Sequence, residues 1–285
     1  QEFLKKNIDQ LKRNSIYIPQ TPISGNGNHR WIPLFANNDV FSDEFVLSRQ
    51  FKNYEDRKEV IFQKRNQFID ECLNASRKYK TIILTSEHFQ SRLRTKEEIR
   101  RLRDLLEEVA SKIHIIIYIR DPLKTAVSSF STMIKSGSTA SVLPSPDQKN
   151  YLCNHSQTIQ KWKDCFPNSD FTIRRFEESL LVKEDVVFDF CSHIIDDFRE
   201  KDYTYVQRNN QTLSLTGMAL LRELNVQFPR FIDGKPNRMR GQISKFIMRN
   251  TLDGSKFLPS KDEFQAYKNY YHESSEIVRS HYFPA

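Results

Sequence analysis

The segment IHIIIYI, Ile113 to Ile119, constrains this chain more than any other. Apolar residues fall on both faces of this run, as in a parallel strand covered by helices above and below. The residues after it, Pro122 to Lys135, predict a helix with proline in the first turn, where its missing N–H costs nothing. Two shorter runs, TIILT (Thr81–Thr85) and FTIRRF (Phe171–Phe176), predict further strands. Helical patterns separate them. Thr95 is a candidate N-cap with Glu98 completing a capping box, ahead of a stripe of Ile99, Leu102, Leu106 and Val109. Ile159, Trp162 and Phe166 mark another helix before the third strand. Strand–helix alternation of this kind predicts an α/β fold, a parallel β-sheet flanked by helices with right-handed crossovers.

Outside that frame, Phe3, Leu4, Ile8 and Leu11 have helical spacing, and YIPQTPISGNGNHRWIP follows as an irregular stretch. Residues from about Asp56 to Tyr79 predict a charged helix with Val60, Phe62, Phe68 and Leu73 among its apolar positions. Beyond Val182 the pattern is a helical C-terminal part, interrupted by DGKPNRMRGQ (Asp233–Gln242), a basic irregular loop. Tyr267, Tyr270 and Tyr271 are spaced to pack a terminal helix. The expectation is one domain over residues 1–285.

Composition narrows the function classes. With 38% hydrophobic and 12% aromatic residues the chain can bury a substantial core and is not a disordered segment. The excess of 44 Lys+Arg over 36 Asp+Glu suits an anionic partner as well as it suits a solvated basic surface. Cys72, Cys153, Cys165 and Cys191 form no CxxC and no metal-ligand spacing, so free thiols in a reducing compartment and no metal are expected, although Cys153 and Cys165 could pair. No apolar run approaches the roughly 20 residues of a membrane span. With no leader visible, the expectation is a soluble cytoplasmic protein. No nucleic-acid-binding module is visible.

In open parallel sheets, ligands bind beyond the carboxyl ends of the strands. Two such ends carry chemistry, TSEHF (Thr85–Phe89) and RDPLKTAVSSF (Arg120–Phe130), and both are expected on one edge. Arg120 and a hydroxyl in the following helix, Ser128 or Ser129, would clamp a phosphate. A structural alternative pairs Arg120 with an acid such as Glu87.

The pattern R-D-P-x-x-x-x-x-S from Arg120 to Ser128, after a strand, resembles the 3′-phosphate-binding motif of the sulfotransferase superfamily. Weaker similarities to carbohydrate-type and bacterial members extend through QEFLKKN, YIP, NHRWIPLFA, WKDCFPNSDFTIRRFEESL and NNQTLSLTGMALLRELN. The resemblance implies a P-loop NTPase-like sulfotransferase fold in which Arg120 and Ser128 hold the 3′-phosphate of 3′-phosphoadenosine 5′-phosphosulfate (PAPS). It also implies an O-sulfotransferase leaving adenosine 3′,5′-bisphosphate, with a hydroxylated acceptor, a saccharide by this likeness. The superfamily's Lys/Gly/Thr-rich 5′-phosphosulfate loop does not occur in residues 1–285, and the resemblance puts that loop and its strand upstream of Gln1.

Sulfuryl transfer needs a base for the acceptor hydroxyl and cations for the moving charge. Glu87 is the first candidate base and His88 the second, His88 being equally readable as a structural histidine; the resemblance implies only their general position. His29 is a third candidate, but an isolated loop histidine is more often structural or exposed, and it is left out of the site. Competing readings are a kinase, for which no Walker-type GKS/T is visible, and a non-catalytic nucleotide- or glycan-binding relative.

Overall fold

The computed structural model describes residues 1–22, 28–38, 43–49, 51–147, 151–206 and 213–284. Residues 23–27 of the irregular stretch and 209–212 of NNQTLSLTGMALLRELN lie outside the described residues. In chain order the elements are α1 (Glu2–Lys6), α2 (Ile8–Arg13), β1 (Ile16–Tyr17), α3 (Trp31–Ala36), α4 (Glu44–Leu47), α5 (Tyr54–Ser76), β2 (Thr81–Ile82) and α6 (His88–Arg92). They continue with α7 (Lys96–Glu107), β3 (His114–Ile119), α8 (Pro122–Lys135), α9 (His155–Cys165), β4 (Asp170–Arg175) and α10 (Val186–Ile194). The chain ends with α11 (Leu215–Gln227), β5 (Phe231–Ile232), β6 (Lys235–Pro236), α12 (Arg238–Asn250), α13 (Lys261–Tyr270) and α14 (His272–Tyr282). This is a mixed α/β protein with small parallel sheets.

The chain forms two compact units. The first comprises residues 1–43, 51–119 and 159–207, and the second 44–50, 120–158 and 208–285. In unit 1, β3 and β4 pair in parallel from His114 opposite Asp170 to Ile119 opposite Arg175. β1 and β2 pair in parallel, Ile16 opposite Thr81, and Ile83 N–H extends the ladder to the Tyr17 carbonyl at 2.9 Å. Two short parallel sheets therefore stand where one continuous sheet was expected. β3 residues are half-buried, with His114 exposed, because helices do not cover both faces fully. β1 ends on Tyr17, the first residue of the stretch expected to be irregular.

One core of unit 1 gathers Ile32, Phe68, Cys72, Ile99, Leu102, Trp162 and Phe166 from the α3, α5, α7 and α9 segments. A second joins Phe3, Leu11, Ile16, Ile83 and Cys191. Thr95 and Glu98 make the expected capping box, and Ile99, Leu102 and Val109 are buried as expected; Leu106 packs half-buried against the same core and Leu105 is buried beside it. On α5 the buried residues are Phe68, Cys72 and Ala75, at i, i+4 and i+7, while Phe62 and Leu73 face solvent. Asp189, fully buried, ties α10 to the sheet through Tyr118 Oη (2.7 Å), Arg174 Nη2 (2.5 Å) and Val182 N–H (3.2 Å).

Unit 2 packs α8 against α11 and α13 around Ala126, Phe130, Ile134, Leu221, Tyr267 and Tyr271. Tyr270 is exposed, so two of the three tyrosines fill the core as expected. α8 starts and stops by local chemistry. The Asp121 side chain accepts from Lys124 N–H, and Pro122 occupies the first helical position. At the other end Gly137, at φ +112°, lets Ser138 N–H reach the Met133 carbonyl and Gly137 N–H that of Ile134. The Asp233–Gln242 segment is not an irregular loop. Asp233 and Gly234, at φ +49° and +74°, make a tight turn between β5 and β6, and Asn237 then caps α12. Arg240 in that segment is buried and donates to Asn225 Oδ1 (2.7 Å) and the Lys135 carbonyl (3.2 Å), holding the end of α8. All four cysteines are free and buried, which removes the Cys153–Cys165 pairing.

Candidate functional site

Arg120 and Ser128 line one cavity within unit 2, of about 460 Å³. That volume lies in the range of about 300–1,000 Å³ that small-molecule sites occupy. One wall is a single face of α8. Leu123, Lys124, Val127, Ser128, Ser131, Thr132 and Lys135 recur at three- and four-residue intervals, so helical geometry alone aligns them. Leu258, at 82% exposure, stands with Phe257 and Pro259 on the opposite side. Phe257 is fixed by its ring contact with Phe130, at 5.5 Å between centroids.

The strand-end turn is pinned from a neighbouring segment. His155 Nε2 donates to the Arg120 carbonyl, and Cys153 Sγ to that of Pro122 at 3.3 Å. Burial lowers the pKa of His155, which suits this neutral donor role. Arg120 itself is exposed, so the cost of a buried cation at a strand end does not arise.

The electrostatics of the cavity are one-sided. Arg120, Lys124 and Lys135 contribute three cations, and no Asp or Glu is among the described residues lining it. Burial lowers the pKa of Lys135. Ser131 is 5% exposed, and its Oγ has no hydrogen-bond partner among the described residues. An unmet buried hydroxyl costs about 1–3 kcal/mol unless a ligand or water meets it. Lys124, Ser131 and Lys135 were not singled out from the sequence, though their spacing from Ser128 was legible. Ser129 is not among the lining residues.

Glu87 and His88 lie in unit 1, at the start of α6. The Glu87 carboxylate accepts from Asn28 Nδ2 (2.8 Å) and Gln1 Nε2 (3.1 Å), and sits 3.2 Å from His88 Nε2. Desolvation pushes its pKa up, but the hydrogen bonds, led by His88, outweigh this and hold it at about 2. The Arg30 guanidinium packs against the His88 ring, and Ser91 Oγ lies 3.3 Å from His88 Nδ1. Arg30 in turn grips Asp43 with Nη2 at 3.0 and 3.3 Å, and Arg92 Nε reaches the same carboxylate at 2.7 Å. Asp43, Arg30 and Arg92 come from distant points in the chain and left no local signal.

His29 is structural, as expected. Thr85 N–H donates to its Nδ1 at 3.1 Å, so Nε2 carries the proton toward the Pro19 carbonyl at 3.0 Å, and burial lowers its pKa. Among the described residues no helix is long and apolar enough to cross a membrane. Comparison of the chain with family models, curated proteins and solved structures finds no match.

Proposed function

We propose that the unit 2 cavity binds the 3′-phosphate of an adenosine nucleotide, and that the chain is a sulfotransferase of P-loop NTPase-like fold moving a sulfuryl group from PAPS to a hydroxyl. The observation that carries this reading is the convergence of Arg120 and Ser128, the two motif residues, on one cavity with two further cations and a Ser131 hydroxyl that has no partner among the described residues. A dianionic phosphate answers both needs, charge and hydrogen-bond donors. Phe257 and Leu258 offer apolar surface suited to a purine.

For proton abstraction the low pKa of Glu87 favours His88 as acceptor, because a carboxylate titrating at about 2 is a weak base at neutral pH. Glu87 then holds and orients the imidazole across 3.2 Å. The resemblance to carbohydrate-type members makes a saccharide the acceptor class. A second reading, a nucleotide-binding relative without catalysis, is favoured by that same low basicity of Glu87.

Calorimetric titration with adenosine 3′,5′-bisphosphate tests the binding claim. Arg120→Ala should cost about 1.5–3 kcal/mol of affinity. Unchanged affinity in a folded variant rejects the assignment. Turnover of PAPS, measured on the protein with the upstream 5′-phosphosulfate loop present, separates the two readings. Loss in His88→Asn of that protein with retained nucleotide affinity supports catalysis, and no turnover with that loop in place supports the binding relative.

A further inference from the structure

A surface of unit 2 carries a second inference, independent of the nucleotide cavity. α12 inverts the usual sorting of side chains. Arg240 and Ser244 are buried, while Met239 and Phe246 are 58% and 68% exposed. The seven-residue interval places Met239 and Phe246 on nearly the same side of the helix. Arg238, Lys245 and Arg249 are also exposed and follow on the adjoining strip, away from Arg240 and Ser244. The β5–β6 hairpin that feeds α12 adds Ile232, 50% exposed, and Lys235. Over the hairpin and α12, Lys235, Arg238, Lys245 and Arg249 are exposed against one exposed acid, Asp233 in the hairpin turn, and α12 itself contains no Asp or Glu.

We infer that this α12 face with its hairpin is a docking surface for an anionic lipid bilayer. Exposed bulky apolar side chains beside an unbroken basic strip are what interfacial helices present to headgroups. Charge complementarity selects an anionic partner, since each Lys or Arg close to such a surface strengthens binding about fivefold. The apolar tips select lipid over a polyanionic chain, because a glycan or nucleic-acid backbone gains little from Met239 and Phe246, whereas a bilayer interface buries them. α12 has 13 residues and lies in the interface plane without spanning it.

Flotation with vesicles rich in phosphatidylserine, against vesicles of phosphatidylcholine alone, tests this. The chain should float with the former only, and less at higher salt. The double variant Met239→Ser/Phe246→Ser should lose about tenfold or more of that partition. It should keep its melting transition and its retention on a heparin-type resin, which reads charge without lipid. Absence of flotation with phosphatidylserine, equal flotation with both vesicles, or an unaffected double variant would overturn the proposal. A parallel loss of resin retention would overturn it too, by making this face a polyanion site.

Discussion

The charged groups of the two units are arranged to opposite ends. In unit 1, the acids Glu87 and Asp43 are paired with His88, Arg30 and Arg92, and Asp43 between two guanidinium groups is almost wholly buried. In unit 2, cations of one sign converge on a cavity whose buried Ser131 hydroxyl has no partner among the described residues. A network of paired acids and bases holds structure and positions a proton acceptor. A concave site lined by cations, with no Asp or Glu among its described lining residues, raises local anion concentration. A perturbed pKa and a binding site are thus different signals: Glu87 is strongly shifted yet hydrogen-bonded within unit 1, whereas the cavity is recognised by its single sign of charge and by the Ser131 hydroxyl that has no partner among the described residues.

Breaking the charge-paired side should have the largest effect. Asp43→Ala removes the carboxylate between the Arg30 and Arg92 guanidinium groups, Arg30 being only 14% exposed, and should lower unfolding stability by about 3–5 kcal/mol in chemical denaturation. A loss under about 1 kcal/mol would mean the cluster behaves as an exposed ion pair. On the cavity side, Ser131→Ala should act with opposite signs on two readouts. Removing an unmet hydroxyl should leave stability unchanged or raised, while nucleotide affinity falls by about 0.5–1.5 kcal/mol. A stability loss with unchanged affinity would make Ser131 a core residue rather than part of the cradle.

The smallest effect concerns pH. The folded pKa of Glu87 is depressed from 4.5 to about 2, so its stabilising contribution is present above 4.5 and is lost as pH falls from 4.5 toward 2. Glu87→Gln should therefore flatten stability against pH in that acid window and leave the slope above pH 6 unchanged. A steeper acid limb in the variant would contradict the network assigned to Glu87.

Elements set by local rules were legible in the sequence. Pro122 and Asp121 fix the start of α8, the Thr95–Glu98 capping box fixes α7, and apolar runs mark β3 and β4. β1 escaped because two residues carry no periodicity, and its partner lies 65 positions along the chain. The hairpin at Asp233–Gly234 carried a readable Asp-Gly turn signal, masked by the surrounding basic residues. On α5 the apolar residues alone did not define the buried face, because tertiary packing buries Phe68, Cys72 and Ala75 and leaves Phe62 and Leu73 exposed. For the site, Arg120 and Ser128 were visible as a motif and Lys124, Ser131 and Lys135 as helical multiples of it. The Arg30–Asp43–Arg92 contacts were not, since only folding brings those residues together.

The most direct measurement is a titration cycle with two ligands and two proteins. Adenosine 3′,5′-bisphosphate and adenosine 5′-monophosphate differ in the 3′-phosphate assigned to Arg120, Ser128 and Ser131. The parent chain should bind the bisphosphate more tightly, and Arg120→Ala should lose about 1.5–3 kcal/mol with the bisphosphate but almost nothing with the monophosphate. Equal affinity of the parent chain for both nucleotides, or equal losses with both in the variant, would contradict a 3′-phosphate in this cavity.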